Sequence, residues 1–326
     1  MSLNPYDFCL FGKQYRVSFN IPSTRKPNIL DLVYSDVCGP IDVETLGGNK
    51  YFVTFIDDAS RNVWVYVLKT EDQVFEHFKK FHVMVEREKG KPLKCLRSDN
   101  GDEYTSNEFK SYCSKKDIRH EKTVLGTPQQ NGVAKRMNRT IAKKIRCILR
   151  MTNLPKSFWG EAVLTACYLI YRSPYVLLDF DIPKRVWIGK DVFYSYLKVF
   201  GCKAFVHVPK EQRSKLDSKS TLCIFVGYED VEFSYKLWDP KEKKMIRSQD
   251  VVFHENENLT DFEKTKKPKV IVEGNPDLTL TSSSLDNATN REEVQDENYG
   301  NEPTKFDADE LVGVDGDDVT NTDGVE

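Results

Sequence analysis

No run of 18 consecutive apolar residues occurs in this chain, so the sequence offers no segment that could cross a bilayer as a helix, and no membrane partner is expected. Its opening stretch, MSLNPYDFCLFGKQYR, lacks a basic piece followed by a long apolar one, so nothing there reads as a secretory signal. Paired cysteines are absent too. The eight thiols, at 9, 38, 95, 113, 147, 167, 202 and 223, are scattered with no two within three residues, which excludes a zinc clip and a dense disulfide framework. Small buried thiols in a reducing compartment are expected instead. Between Glu121 and Glu161 there is no acidic residue at all. The 39% hydrophobic and 12% aromatic content can build a core, which excludes a wholly disordered or collagen-like chain. A length of 326 residues suggests two domains.

The net charge of −2 conceals an asymmetry. Residues 271–326 hold 16 acidic and two basic side chains, a net of −14, which leaves 46 basic and 34 acidic residues and a net of +12 on residues 1–270. A basic body with an acidic tail points to a polyanionic partner for the body; solvated lysine-rich helix faces are the plainer alternative.

Residues 1–27 lack periodic pattern and contain Pro5, Pro22 and Pro27. ILDLVYSDV (29–37), YFVTFIDD (51–58) and NVWVYVLKT (62–70) are β-branched and aromatic runs joined by turn-type pieces, which predicts an antiparallel meander. Glu71–Glu88 has helical spacing, with Val74, Phe75, Phe78, Phe81 and Val85 on one side. PLKCLRSD (92–99) reads as a fourth strand, 107–116 as a short helix and DIRHEKTV (117–124) as a fifth strand. A long helix follows GTPQQNG, its apolar stripe formed by Val133, Met137, Ile141, Ile145 and Ile148. Pro155 is placed to open the next helix. From about 195 the period returns to two, which predicts a small separate β-barrel with Phe200, Phe205, Phe225, Tyr228 and Trp238 in its core. Beyond about 258 large apolar residues become rare and disorder is expected.

Two segments carry chemistry. SDVCGP ends the first strand with Asp36 and RSDNGDEY ends the fourth with Asp99. Carboxylates at the ends of neighbouring strands can meet at one sheet edge and hold hard divalent cations, which activate a nucleophile and stabilise the leaving oxygen of a phosphodiester. Aspartate leaving a strand is also ordinary turn chemistry, which is the simpler account of Asp57, Asp58, Asp102 and Glu103.

The words LVYSDVCGP, YFVTFIDDASR, LRSDNGDEY and TPQQNGVAKRMNR, with SFWGEA, KVFGCKAFVHVP, CIFVGY and YKLWDP farther on, make the chain resemble the integrases of copia-type long-terminal-repeat retrotransposons over roughly residues 9 to 255. The resemblance implies an α/β fold, a ribonuclease-H-like mixed sheet with flanking helices at 28–190, followed by a small β-barrel at 195–257 and a disordered acidic tail at 258–326. It implies Mg²⁺ or Mn²⁺ on Asp36 and Asp99, a 3′-hydroxyl attacking target DNA, DNA and further copies of the chain as partners, and a nuclear location. The family's third ligand is a glutamate separated by 35 residues from the second aspartate, which lands on Lys135, so GVAER has become GVAKR. The simple expectation is an integrase copy with impaired or lost strand transfer; the alternative is a non-catalytic nucleic-acid-binding protein. Residues 1–27 resemble a truncated remnant of the family's zinc module, in which Cys9 fits a ligand while Tyr6 replaces its neighbour, so zinc is not expected. His77 and His82 are expected on a helix surface.

DNA binding does not need the missing glutamate. Lys135, Arg136, Arg139, Lys143, Lys144, Arg146 and Arg150 crowd the long helix, and Gln129, Gln130 and Asn131 precede it as hydrogen-bond donors. Such a face can meet phosphates.

Overall fold

The structure is a computed structural model that describes residues 25–123, 131–229 and 234–257. Residues 1–24 of the zinc-module remnant, Gln129, Gln130 and the acidic tail lie outside the described residues.

The first sheet has the order β3-β2-β1-β4-β5, from β1 (Val33–Cys38), β2 (Tyr51–Asp57), β3 (Val63–Leu68), β4 (Cys95–Ser98) and β5 (Arg119–Lys122). β1, β2 and β3 form the antiparallel meander, while β4 pairs with β1 in parallel and β5 with β4 in parallel. The β2–β3 turn is held by Asp57, whose Oδ1 accepts from the Leu30 amide and whose Oδ2 accepts from the Ser60 amide and hydroxyl. Asp58 is paired with Arg61 at 2.9 Å. Both carboxylates are therefore turn residues, as expected. The same clamp holds Leu30 at φ 67°, so the strand expected from 29 starts at Val33.

Helix α1 (Val74–Lys89) buries Val74, Phe78, Phe81 and Val85 against the sheet and ends at Gly90 in the left-handed conformation. Phe55 of β2 stacks on Phe81 with centroids 4.5 Å apart and meets Phe78 and Tyr66 edgewise or tilted. The expectation that His82 lies on the helix surface is corrected: it is 1% exposed, and its Nδ1 is 3.0 Å from the hydroxyl of Tyr112 on α2 (Asn107–Lys115).

Helix α3 (Gly132–Thr152) buries Ala134, Met137, Asn138, Ile141 and Ile145; Val133 and Ile148 are only half-buried, so the buried face is turned slightly from the expected stripe and includes an asparagine. Asn153 in the left-handed conformation ends it, and Pro155 caps a single 3₁₀ turn leading into α4 (Trp159–Ile170). A short α5 (Pro183–Ile188) returns Trp187 to the α1 side, where its ring lies 4.7 Å from that of Trp64.

The second sheet is antiparallel, in the order β10-β6-β7-β8-β9, from β6 (Lys203–His207), β7 (Ser220–Tyr228), β8 (Tyr235–Asp239), β9 (Lys244–Ser248) and β10 (Val251–His254). Phe225 is wholly buried and Phe200 nearly so. Phe205, Tyr228 and Trp238 are only half-buried: Phe205 meets His254 within the sheet, Tyr228 stacks on Tyr168 of α4 at 4.2 Å and Trp238 meets Phe158 edge-on.

Candidate active site

Parallel pairing of β1 with β4 sets Tyr34 opposite Arg97, so two residues farther along Asp36 and Asp99 arrive level at the same end of the sheet. Their surroundings differ. Asp36 is 6% exposed: its Oδ1 accepts from the Asn131 amide at 3.1 Å and its Oδ2 from the Asn138 amide at 2.9 Å. Asn131 also donates to the Ser35 carbonyl, and Thr54 fixes Asn138 by donating to its Oδ1 at 2.9 Å. Behind them the Ser35 hydroxyl is bonded to the buried Tyr104 hydroxyl. Burial, with the nearby Asp99 charge second, pushes the Asp36 carboxyl up to about 7; Lys135 and the Asn138 bond act the other way.

Asp99 is more open, its side chain 33% exposed, and its Oδ1 accepts from the Gly101 amide. Lys135 stands in the first turn of α3 with Nζ 4.0 Å from Asp99 Oδ2. Glu103 lies in the 3₁₀ turn Asp102–Tyr104, as its sequence context suggests, with its carboxylate close over Gly101; burial and then the Asp99 charge raise its carboxyl above the usual range.

The donor set decides what this edge can hold. Asp36 spends one lone pair of each oxygen on an amide, Asp99 faces an ammonium, and among the described residues no group of three His, Cys, Asp or Glu side chains could hold a metal ion. These residues do not fit a two-cation centre.

Arg136, Arg139, Lys143 and Lys144 are exposed along α3, while Arg146 is half-buried and turns its Nε to the Ala142 carbonyl. Asn131 belongs elsewhere: it is wholly buried and its amide is spent on Asp36 and Ser35, so it is not offered to a phosphate. Asn138, Thr54 and Tyr104 are site residues that sequence reasoning missed. The one available signal was a polar residue adjoining the apolar stripe of α3.

Residues 28–128 match the integrase core domain and residues 202–268 the retroviral polymerase SH3-like domain. The chain is 64% identical over 296 residues to the retrovirus-related Pol polyprotein from transposon TNT 1-94 of Nicotiana tabacum, covering 91% of this chain and 22% of that one. It is 31% identical over 248 residues to the corresponding polyprotein from transposon RE1 of Arabidopsis thaliana, covering 76% and 17%. The chain thus spans about a fifth of the length of the curated relatives it matches. A chain in the cryo-EM structure of the simian T-cell lymphotropic virus intasome in complex with PP2A regulatory subunit B56 gamma is 14% identical, with a TM-score of 0.42 over 69% of this chain and 77% of that one. By its two domains in this order and by its identity to transposon Pol polyproteins, the chain belongs to the integrases of copia-type retrotransposons.

Proposed function

We propose that this chain is a retrotransposon integrase that retains DNA binding and has lost strand transfer. The family acts on DNA, assembles as oligomers and uses divalent metal ions; the reading for this chain rests on one observation, the Lys135 ammonium 4.0 Å from Asp99 Oδ2. In the family pattern that position supplies a third carboxylate. At an effective dielectric near 20, a unit-charge pair about 4 Å apart is worth roughly 4 kcal/mol, an upper bound for half-exposed side chains. Exchanging an anion for a cation reverses that contribution toward any Mg²⁺ or Mn²⁺ on Asp36 and Asp99, so we derive no reaction step through bound metal. The exposed basic residues of α3 remain available to phosphates.

Strand transfer on labelled duplex ends, in Mg²⁺ and in Mn²⁺, tests this reading with the native chain beside Lys135→Glu. The native chain is expected to bind the duplex and leave it unjoined, and the variant to regain joining. Joining by the native chain would overturn the reading. An inactive variant that still binds DNA would show that the loss extends beyond residue 135.

A further inference from the structure

Among the described residues the first sheet ends at β3, which pairs there with β2 alone. Five successive β3 residues, Val63 to Val67, line one cleft of about 750 Å³. Neighbouring side chains of a strand point to opposite faces, so five in a row can line a single cavity only from the strand's open edge. Helices wall the cleft on both sides. From α1 come His77, Lys80 and Met84, and from α4 come Glu161, Thr165 and Tyr168, each set on one helical stripe. Together α1, α4 and the β7–β8 residues Gly227, Tyr228, Glu229 and Lys236 surround the outer edge of β3, beside which no further strand pairs among the described residues.

The two walls each enclose a polar atom with no hydrogen-bond partner among the described residues: the hydroxyl of Thr165, a residue 2% exposed, on the α4 side, and Nδ1 of His77 on the α1 side. Gly227 of β7 lines the same cleft, and a Cβ there would stand 3.1 Å from the Thr165 hydroxyl. Unpartnered atoms on opposite walls match the alternation of an inserted strand, whose successive side chains reach opposite faces. Charge adds direction. On the α4 side Lys236 is already paired, 3.2 Å from Glu161 and 3.8 Å from Glu229. On the α1 side Lys80 has no ion pair among the described residues, and it shares a shallow neighbouring depression with Arg87, Glu88, Lys79 (itself paired with Glu76) and the exposed apolar Val83 and Met84, three cations against one acid on the depression itself. That rim is cationic.

We propose that this cleft receives an extended peptide segment of a partner protein as a sixth strand on β3, with acidic residues against the Lys80 and Arg87 rim and polar side chains facing Thr165 and His77. Backbone pairing supplies the attraction, and the two walls and the rim supply the selectivity. This does not depend on whether the chain transfers DNA strands.

The test uses the full chain and a synthetic peptide of about five alternating valine and threonine residues with glutamates at both ends. Binding is followed by fluorescence anisotropy and by hydrogen exchange at the Val63–Val67 amides. The peptide is expected to slow exchange at those amides, and the same peptide N-methylated on its backbone is expected to bind at least about tenfold more weakly, the loss of one or more hydrogen bonds. Thr165→Val keeps the side chain's shape, leaves the fold intact and is expected to weaken binding by several-fold. No binding at millimolar peptide would overturn the proposal, as would equal binding of the N-methylated peptide. Displacement of the peptide from β3 by duplex DNA, with DNA itself protecting those amides, would reassign the cleft to nucleic acid.

Discussion

Replacing Asp36 with asparagine should make the protein more stable at pH 8 and not at pH 4. The buried Asp36 carboxyl is held at about 7 against an ordinary value of 3.8. Because the folded-state value is raised, the group favours folding most below its ordinary value, and this contribution is lost progressively as the pH climbs to about 7. Above that, the folded chain carries an ionised, buried carboxylate at a cost of roughly 4 kcal/mol. Asparagine removes the charge at nearly the same volume but brings an amide among amide donors. Asn138 cannot easily turn, since Thr54 donates to its Oδ1. Asn131 has an Oδ1 with no partner among the described residues and can turn to accept the new amide, giving up its bond to the Ser35 carbonyl. That exchange costs about 1 kcal/mol. The net expectation for Asp36→Asn is a gain of about 2–3 kcal/mol at pH 8 and no gain, or a loss of about 1 kcal/mol, at pH 4. Urea denaturation of the native chain and the variant across pH 4–8, with matched slopes, measures it. A variant that is less stable at pH 8, or whose effect is the same at both ends of the range, would refute the burial argument.

Three further outcomes are expected. Changing Arg139, Lys143 and Lys144 together to glutamine should lower the dependence of log K for duplex DNA on log salt by up to about three, since each lost phosphate contact removes close to one; an unchanged slope in anisotropy titrations would make the α3 face simply solvated. Gly201→Ala should cost roughly 2 kcal/mol or more in thermal denaturation, because Gly201 sits at φ 82° and a Cβ there would collide with Thr152 at the end of α3. Phe55→Ala should cost about 3–5 kcal/mol, since Phe55 is wholly buried and touches three other rings, and a loss under 1 kcal/mol would show that the sheet and α1 repack freely.

The elements written in local composition or period were legible: the β1–β3 runs are β-branched and aromatic, and α1 and α3 each carry an apolar stripe. Asp36 and Asp99 could be nominated as strand-end carboxylates, and the parallel register of β1 and β4 is what brings them level. What could not be read depends on contacts between residues far apart in the chain. Asn131 resembles a loop donor until α3 lies across β1, which places its amide on an aspartate 95 residues away, and Asn138 meets the same aspartate across 102 residues. His82 looked like a surface residue because its partner, Tyr112, sits 30 residues later on another helix.

The frame around Asp36 also explains how a lysine at 135 is tolerated. Asn131, Asn138, Thr54, Ser35 and Tyr104 hold β1, β2 and α3 together through buried hydrogen bonds, none of which involves residue 135. The Lys135 side chain is 44% exposed and, among the described residues, pairs with Asp99 alone, at 4.0 Å. A pair that exposed and that long contributes about 0–1 kcal/mol, so the residue is nearly neutral for folding. For a cation on Asp99 it is far from neutral, because the ammonium lies beside the oxygen the cation would need. On the proposed reading, a single substitution there separates two properties of the site: it takes away a family carboxylate while the packed frame and the basic flank of α3 stay in place. Lys135→Glu is therefore expected to fold as the native chain does, and to lose no more than about 1–2 kcal/mol at neutral pH from crowding a third carboxylate beside Asp99 and Glu103. Mg²⁺ or Mn²⁺ should recover that loss in the variant's melting temperature and leave the native chain's unchanged. A native chain stabilised by either ion as strongly as the variant would mean that Lys135 swings aside, and that the carboxylate pair still holds metal.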